Sequence, residues 1–566
     1  MATLLVITIL IPLIAGLATA LAPGLDRDQA RKIALGAVVV TLGLSLVLLV
    51  GFRPEIRGPQ FAFQTLDGHY GWAWIAKTDI RVAFGLDGLS LWLFVLTSVL
   101  MITAVCSSWE SISDRAPQYY GFLLALQTGL LGLFASLDVV LFYVFFEFTL
   151  IPLFFLIGLW GGPKRKKAAV TFFLYTLAGS LLTLLGVISL VAVNYLYSRG
   201  HVLTFSIPEL TNGLAVVQWD DWYKTNSWTS PQVLIFLLLF AGFAIKVPMF
   251  PFHTWLPLAH VEAPTAGSIV LAGVLLKVGT YGLMRFNLAM TPLGSAALFP
   301  LIATLAVAGV IYGALAALAQ TDVKRLVAYS SVSHMGFIVL GIFAMNATGL
   351  DGAVIQQINH GLTTGALFAC VGMIYDRYHT RQLADLGGLW SRLPVLALFL
   401  MLAAMGSAAV PLLCGFTGEF PILAGAFETS PRSAVLAATG MILGAAYLLW
   451  MLRKLLFGPL KEPHGHTTDA TNGHHPAVAP VGWYEIAGLS PLMILIVLIG
   501  VYPRPFLNQS KLAVADLVET LPQGAVASAP ARLDPARARS LDQNDRTPVL
   551  SASVATAPAA SLGDRR

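Results

Sequence analysis

The feature that most constrains this chain is a succession of apolar runs that recurs along most of its length. About 20 apolar residues are needed to cross the hydrocarbon core of a bilayer as a helix. Of the 566 residues, 57% are hydrophobic and 11% are charged, whereas soluble domains carry about 25% charged residues. Because lipid offers the backbone no hydrogen-bond partner, such runs must form helices. The sequence therefore predicts an all-α polytopic membrane protein.

We predict about fourteen membrane-spanning helices, each long enough for the bilayer core. Their approximate ranges are 3–22, 33–51, 86–106, 118–136, 138–158, 168–192, 231–258, 265–287, 295–318, 323–344, 352–375, 394–425, 434–457 and 486–503. The seventh and twelfth ranges are too long for one straight helix and contain internal Pro or Gly, so we expect broken helices there. The segments 52–85 and 193–230 are predicted to be loops, rich in aromatic residues that suit the membrane interface.

These spans suggest five regions of the chain. We predict three N-terminal helices (1–117), a first five-helix repeat (118–288), a second, inverted repeat (289–460), a loop with the last helix (461–503) and a mostly disordered tail (504–566). The tail is predicted from its Ala, Pro, Ser and Arg content and from the lack of an apolar period.

The basic residues indicate the orientation of the chain. Lys and Arg are concentrated in alternate connections, which contain RDQARK, GGPKRKK, TDVKR, DRYHTR and LRKLL. Connections of this kind remain in the cytoplasm. An even number of spans then places both termini on the opposite side. No organelle-targeting segment is visible, so we predict a bacterial plasma membrane protein with both termini in the periplasm.

Four ionisable residues fall near the centres of predicted spans: Glu147, Lys246, Lys277 and Glu419. Each costs at least ~2.5–3.5 kcal/mol at the bilayer centre. They could be structural ion pairs that hold helices together. We favour a hydrated proton or ion path, because four such charges lie at a similar depth in one chain.

Two histidines, His334 and His360, also lie within spans. A single histidine inside a helix is more often a packing residue. Two of them between Lys277 and Glu419 in sequence fit a proton relay better, because histidine titrates near neutral pH. A zinc site is not expected here, since no convincing third ligand accompanies the pair.

A short internal match links the two long spans. Residues 242–248 read GFAIKVP and residues 415–421 read GFTGEFP. They are five spans apart, so they run in opposite directions through the membrane, as in transporters with inverted repeats and broken helices. We expect Pro248 and Pro421 to break their helices, because proline frees the carbonyl one turn earlier. A hydrated break beside Lys246 would let that lysine exchange a proton.

Other chemistries are disfavoured by the composition. The three cysteines, Cys106, Cys370 and Cys414, are far apart and form no iron–sulfur or zinc motif. No glycine-rich nucleotide-binding motif is present. The net charge of +5 is small, and we expect no nucleic acid partner. The stretch EPHGHTTDATNGHH is predicted to be a solvated loop that could bind metal weakly. We therefore expect no cofactor and no metal in this chain.

The run HVEAPTAGSIVLAGVLLKVGTYGLMRF, together with TDVKRLVAYSSVSHMGF and NHGLTTGALF, resembles the antiporter-like membrane subunits of respiratory complex I, the proton-pumping NADH:quinone oxidoreductase. The resemblance is strong over about residues 80–460 and rests on topology outside them. It implies a hydrated proton relay on helices five, seven, eight, twelve and the intervening histidine-bearing helices. Its residues would be Glu147, Lys246, Lys277, His334, His360 and Glu419.

The residue on the twelfth helix favours one branch of that family. M-type members carry Glu there, as at Glu419, whereas L-type, N-type and sodium/proton antiporter subunits usually carry Lys. L-type members also have a long lateral amphipathic helix and a further span, and we expect neither after residue 504. The long tail departs from the short ending expected of M-type members.

The resemblance implies a proton-translocating subunit that is coupled to quinone reduction elsewhere. FMN, iron–sulfur clusters and quinone would lie in other subunits, and the neighbours in the bilayer would be other membrane-arm subunits, especially the L and N types. Three alternatives stay open: a sodium/proton antiporter subunit, a subunit of a membrane-bound hydrogenase or ferredoxin-dependent complex, and a structural spacer.

Overall fold

The computed structural model describes residues 1–66, 68–75, 78–197, 203–215, 217, 230–463 and 478–522. The helices are, in chain order, α1 Ala2–Leu21, α2 Arg27–Gly51, α3 Leu91–Ser107, α4 Ala116–Ala135, α5 Val139–Phe148, α6 Leu150–Trp160, α7 Arg165–Tyr197, α8 Ile207–Ala215, α9 Pro231–Lys246, α10 Trp255–Glu262, α11 Thr265–Leu288, α12 Pro292–Leu318, α13 Val323–Phe343, α14 Ala347–Tyr378, α15 Leu389–Arg392, α16 Pro394–Ser407, α17 Cys414–Thr429, α18 Pro431–Leu456, α19 Trp483–Val501 and α20 Arg504–Glu519.

The prediction of an α-helical polytopic membrane protein is confirmed. Within the described ranges, nine spans are long and apolar enough to cross a membrane, one of them formed by α5 and α6 together, and three further apolar helices are shorter. Every predicted span overlaps a helix or a consecutive pair of helices. The count of fourteen crossings and the division into repeats stay predictions.

The helices that carry polar residues are the most enclosed ones. The most apolar stretch of α11 is 100% buried and that of α13 is 94% buried, against 33% for α1 and α2. The apolar surface of α1 and α2 is thus available to lipid. Because a charged group is costly in hydrocarbon, this enclosure lets α11 and α13 carry ionisable side chains that the chain itself surrounds.

Both long predicted spans are divided into two helices. In the first, α9 ends at Lys246 and α10 begins at Trp255. Pro248 lies two residues after the end of α9, where a proline is expected to prevent a helix from continuing. In the second, α16 ends at Ser407 and α17 begins at Cys414.

The prediction that Pro421 breaks a helix is wrong. Pro421 lies inside α17, and the interruption precedes it, at residues 408–413, where Ala409 and Leu412 have φ of 54° and 72°. Left-handed residues cannot continue a right-handed helix, whereas neighbouring groups compensate the loss of one bond at a membrane proline. Lys246 therefore lies before the break in the first long span, whereas Glu419 lies after the break in the second. The two matching sequences thus occupy different positions relative to the breaks.

The predicted disorder of the tail is wrong for its first part. Residues Arg504–Glu519 form α20, and residues 523–566 lie outside the described part of the chain. The helix is amphipathic: residues Phe506, Ser510, Val514 and Leu517 are buried at helical spacing. Because one face of α20 is polar, a search for long apolar runs does not detect this helix. Hydrogen bonding and attraction by Arg57 lower the pKa of Glu519 at its exposed end.

The two predicted loops also contain regular structure. An antiparallel hairpin joins β1, Trp72–Ile75, to β2, Ile80–Val82. In the second loop, α7 extends to Tyr197 and α8 follows at Ile207–Ala215. Both lie on the face opposite the basic connections, because α2 begins at Arg27 beside one of those connections and crosses to the hairpin.

Candidate functional site

Lys277 lies at the centre of α11, with 0% of its surface exposed. Its Nζ is 2.5 Å from the carbonyl oxygen of Ala272 and 2.7 Å from Nδ1 of His360. The turn Leu271–Leu275 has π-helical geometry, and such turns are frequent at functional sites. At this spacing the amino group of Lys277 can donate a hydrogen bond to the ring, or a ring N–H can donate to a neutral amine.

His360 and His334 bring two neighbouring helices, α14 and α13, together. Their ring centroids are 5.7 Å apart and the rings are inclined by 51°. Nε2 of His360 is buried and has no hydrogen-bond partner among the described residues. The two rings are therefore adjacent, but they are not in direct hydrogen-bond contact.

His334 is bonded at both ring nitrogens. Its Nδ1 lies 2.7 Å from Oε1 of Glu419. Its Nε2 lies 3.2 Å from Oγ of Ser407 and 3.3 Å from the hydroxyl of Tyr447. Gln356 Nε2 donates to the same carboxylate oxygen at 3.1 Å. A short contact between a buried imidazole and a buried carboxylate allows a proton to reside on either group.

Close packing of α17 on α14 holds Glu419 in place. A Cβ on Gly418 would lie 2.2 Å from Oε1 of Gln356. The glycine therefore permits an approach that any side chain would prevent. This approach places the Gln356 amide beside the Glu419 carboxylate.

Lys246 occupies a separate pocket at the end of α9. Its Nζ is 3.3 Å from the carbonyl oxygen of Phe146 and 3.7 Å from the centre of that ring. A cation over an aromatic face is stabilised most when it is desolvated, and Lys246 is 1% exposed. Glu147 interacts with it electrostatically, but among the ion pairs of the described residues none joins the two within 4.0 Å.

The six residues implied by the resemblance thus fall into two groups. One is a chain of four residues, Lys277, His360, His334 and Glu419. The other contains Lys246 and Glu147. The helices that carry Lys246 and Lys277 touch, because a Cβ on Gly279 would lie 2.6 Å from Val247. No hydrogen bond described for this part of the chain links the two groups.

The sequence did not identify several partners. Gln356 precedes His360 by one helical turn on α14, so the shared face could have indicated it. Phe146 adjoins Glu147 in sequence, but no sequence pattern indicated that its ring would contact Lys246. Ser407 and Tyr447 give no sequence signal, since they reach His334 from other helices.

Other buried polar groups surround this site. Arg285 Nη2 lies 2.5 Å from Oδ2 of Asp87, between α11 and the start of α3. Lys324 donates to the carbonyl oxygen of Ala263 at 2.6 Å. His260 is fully buried, and neither of its ring nitrogens has a hydrogen-bond partner in the described structure.

Comparison with known proteins identifies the family of the chain. Residues 136–444 match the family model described as NADH:quinone oxidoreductase/Mrp antiporter, TM. These residues contain all six of the residues considered above.

Individual relatives agree with that match. The chain is 42% identical to NADH-quinone oxidoreductase subunit M of Rhodobacter capsulatus, over 88% of this chain and 92% of the relative. It is similar to a chain of respiratory complex I from Thermus thermophilus, with 30% identity, a TM-score of 0.78, and coverage of 92% and 100%. A chain of the Mrp complex from Dietzia sp. DQ12-45-1b has the same fold, with a TM-score of 0.75, 20% identity, and coverage of 92% and 97%. The chain belongs to the NADH:quinone oxidoreductase/Mrp antiporter family of transmembrane proteins.

Proposed function

We propose that this chain is a proton-translocating membrane-arm subunit of an NADH:quinone oxidoreductase, and that Lys277, His360, His334 and Glu419 pass protons along the middle of the membrane. The observation that carries this proposal is the chain of contacts between buried titratable groups. It consists of the 2.7 Å contact of Lys277 and His360, the two histidine rings with centroids 5.7 Å apart, and the 2.7 Å contact of His334 and Glu419.

Proton transfer along this chain balances at every step. Lys277 gives a proton to Nδ1 of His360, and the ring releases another from Nε2. A water molecule would carry it across the gap between the two rings, since ordered water links polar groups that are too far apart for a direct bond. His334 takes it up and delivers a proton from Nδ1 to the Glu419 carboxylate. The two rings then return to their starting tautomers by reorientation, Lys277 takes up a new proton from the side of Lys246, and Glu419 releases its proton towards the periplasm.

Lys246 and Glu147 would control the loading of this path. A carboxylate about 6 Å from an ammonium stabilises it by ~2.8 kcal/mol at an effective dielectric constant of about 20. Moving one charge against 100 mV requires about 2.3 kcal/mol. The change in interaction free energy when Glu147 and Lys246 approach and separate would therefore be large enough to load and discharge one proton. The cation–π contact with Phe146 keeps the lysine in place between these states.

The remaining parts of the reaction belong to other subunits in this proposal. FMN, iron–sulfur clusters and quinone would lie outside this chain, and the L-type and N-type antiporter-like subunits would be its neighbours in the bilayer. We place the chain in a bacterial plasma membrane, with the basic connections in the cytoplasm and both termini in the periplasm.

The substitution Glu419→Gln tests the relay. Glutamine keeps the shape and can still bond to His334 and Gln356, but it cannot take up the proton. The assembled complex, checked on a native gel, should keep its composition and lose most NADH-driven proton pumping in proteoliposomes. Pumping at the wild-type ratio of protons to NADH would refute the role of Glu419. Glu428→Gln, which changes a carboxylate near the end of the same helix, is the matched control.

A sodium/proton antiporter subunit is the second candidate, because the family model covers Mrp antiporters. Glu419 argues against it, since the antiporter members usually carry Lys there. Purification of the tagged chain distinguishes the two candidates. Co-purification with flavin and iron–sulfur proteins supports the oxidoreductase, and co-purification with small antiporter subunits alone supports the other.

A further inference from the structure

Three potential metal ligands meet away from the relay, on the face opposite the basic connections. His69 lies in the segment after α2, Asp79 at the turn of the hairpin, and Glu209 in the first turn of α8. One ligand atom from each lies within 4.8 Å of the others. Nδ1 of His69 is 3.2 Å from Oε1 of Glu209. Two nearby segments and a third that is distant in sequence thus bring three donor atoms together.

We propose that His69, Asp79 and Glu209 form a binding site for a divalent transition-metal ion of the Zn²⁺ class. Zinc binds imidazole nitrogen and carboxylate oxygen at about 2.0–2.2 Å, so neighbouring ligands of a tetrahedral ion are about 3.3 Å apart. The His69–Glu209 spacing of 3.2 Å already corresponds to one such edge. The donor atoms all lie within 4.8 Å of one another, so the third donor needs a movement of at most about 1.5 Å, which a partly exposed side chain can make by rotating.

The imidazole decides the class of ion. Calcium and magnesium prefer sites made of oxygen alone, whereas imidazole suits zinc and the later transition metals. Three protein ligands would leave a fourth position for water, as in open zinc sites.

The surroundings of Glu209 support binding. Thr204 Oγ1 donates to Oε2 of Glu209 at 2.7 Å, which orients the carboxylate as a second layer of ligands does in metal proteins. Among the ion pairs of the described residues, none places a Lys or Arg against Glu209. The side chains of His69 and Glu209 are 39% and 35% exposed, so an ion can reach them.

Asp79 is partly engaged by another cation. Its Oδ1 accepts from Arg81 Nε at 2.7 Å. Among the hydrogen bonds of the described residues, none engages its other carboxylate oxygen, and the guanidinium offsets part of the negative charge. We therefore expect moderate affinity and a smaller effect of Asp79→Asn than of changes at the other two ligands.

A bound ion would fasten the start of α5. Arg81 N donates to Asp138 Oδ2 at 3.0 Å, and Val139 N donates to the carbonyl oxygen of Phe205 at 2.9 Å. The hairpin and the segment before α8 thus both hold the first turn of α5. Metal binding would cross-link these two supports. The inference concerns this surface site alone and holds whether or not the proposed relay does.

The test measures Zn²⁺ binding to the purified, assembled complex by equilibrium dialysis. Four histidines of the EPHGHTTDATNGHH stretch would contribute background, so the parent for all comparisons carries H464Q, H466Q, H474Q and H475Q. His69→Gln and Glu209→Gln are then added singly. His379→Gln, which changes an exposed histidine on the opposite face, is the matched control.

We expect the parent and the control to bind one more Zn²⁺ per complex than the two ligand variants, or to bind it at least about tenfold more tightly. Equal stoichiometry and affinity in all four proteins would overturn the site. Displacement of Zn²⁺ by equal concentrations of Ca²⁺ or Mg²⁺ would overturn the class of ion.

Hydrogen exchange provides a second readout on the same samples. Zn²⁺ should slow exchange at the hairpin and in α8 of the parent, and it should leave both ligand variants unchanged. Equal protection in the variants would show that the ion acts elsewhere and would contradict the proposal.

Discussion

Lys277 and His360 are 83 positions apart in sequence, yet Nζ of one lies 2.7 Å from Nδ1 of the other. Both are enclosed by the chain, at 0% and 2% exposure. Two positive charges at this distance in a medium of low dielectric constant would repel strongly. The two groups are therefore not charged at the same time, and their hydrogen bond is the contact on which the proposed relay rests.

The substitution His360→Gln should reduce NADH-driven proton pumping by at least about tenfold, since positioned acid–base groups contribute ~10²–10⁴-fold to proton transfer. The glutamine amide can still bond to Lys277, but it cannot accept and release a proton. Proton uptake and NADH oxidation should be measured together in proteoliposomes. His379→Gln, at an exposed histidine beyond the same helix, should leave both rates unchanged. Normal pumping in His360→Gln would remove this residue from the path.

The ring of Phe146 should matter as much as its size. Phe146→Leu removes the π face that lies 3.7 Å from the Lys246 ammonium, a contact worth about 2 kcal/mol when desolvated. We expect proton pumping to fall by about tenfold, while Phe146→Tyr keeps most of it. Phe142→Leu, one helical turn away on the same helix, is the control. An equal loss in both leucine variants would indicate a packing effect instead.

Close approach at Gly418 predicts a steric effect. In Gly418→Ala the new methyl group would lie 2.2 Å from Oε1 of Gln356, and overpacking of this kind costs about 1–3 kcal/mol. The thermal midpoint of the complex should fall, and the bond from Gln356 to Glu419 should be lost. Gly444→Ala, where the added methyl group meets nothing within 4 Å, should be neutral or slightly stabilising. Equal midpoints for the two variants would contradict the tight packing of α17 on α14.

The buried pair of Arg377 and Glu485 should be needed for stability more than for transport. Its two bonds of 2.8 and 2.7 Å join α14 to α19, with both side chains 7% exposed. Arg377→Met leaves the carboxylate buried without its cationic partner, which costs about 3–5 kcal/mol, although Gly482 N still donates to it. The double variant R377M/E485Q should recover part of that loss in thermal unfolding of the complex. A double variant that is less stable than Arg377→Met would contradict this prediction, because the loss of stability would then not come from the unpaired charge of Glu485.

The exposed pair of Arg57 and Glu519 provides the contrast. Their side chains are 55% and 62% exposed, and surface ion pairs contribute little. Arg57→Met should therefore change the thermal midpoint much less than Arg377→Met does. A similar decrease would mean that α20 is held mainly by this pair and not by its apolar face.

Some of these features could be predicted from the sequence because their causes are local. A long apolar run must form a helix in lipid, whatever its neighbours are, so the membrane fold follows from composition and length. Lys246, Lys277 and Glu419 were conspicuous for the same reason, since an ionisable group within such a run is costly. The family-specific runs around Lys277 and His360 were long enough to indicate the relatives as well.

The tertiary structure alone decided which of these residues meet. The His334–Glu419 contact spans 85 positions and depends on the packing of α13 and α17 against α14. At Gly418 this packing is so close that no side chain would fit. Pro421 was a misleading sign of a helix break, because neighbouring helices can compensate for a missing backbone bond. The buried face of α20 likewise depends on contacts with distant helices. Helix formation and the cost of burying charge are properties of a segment and its solvent, whereas proton-sharing contacts are properties of how helices pack.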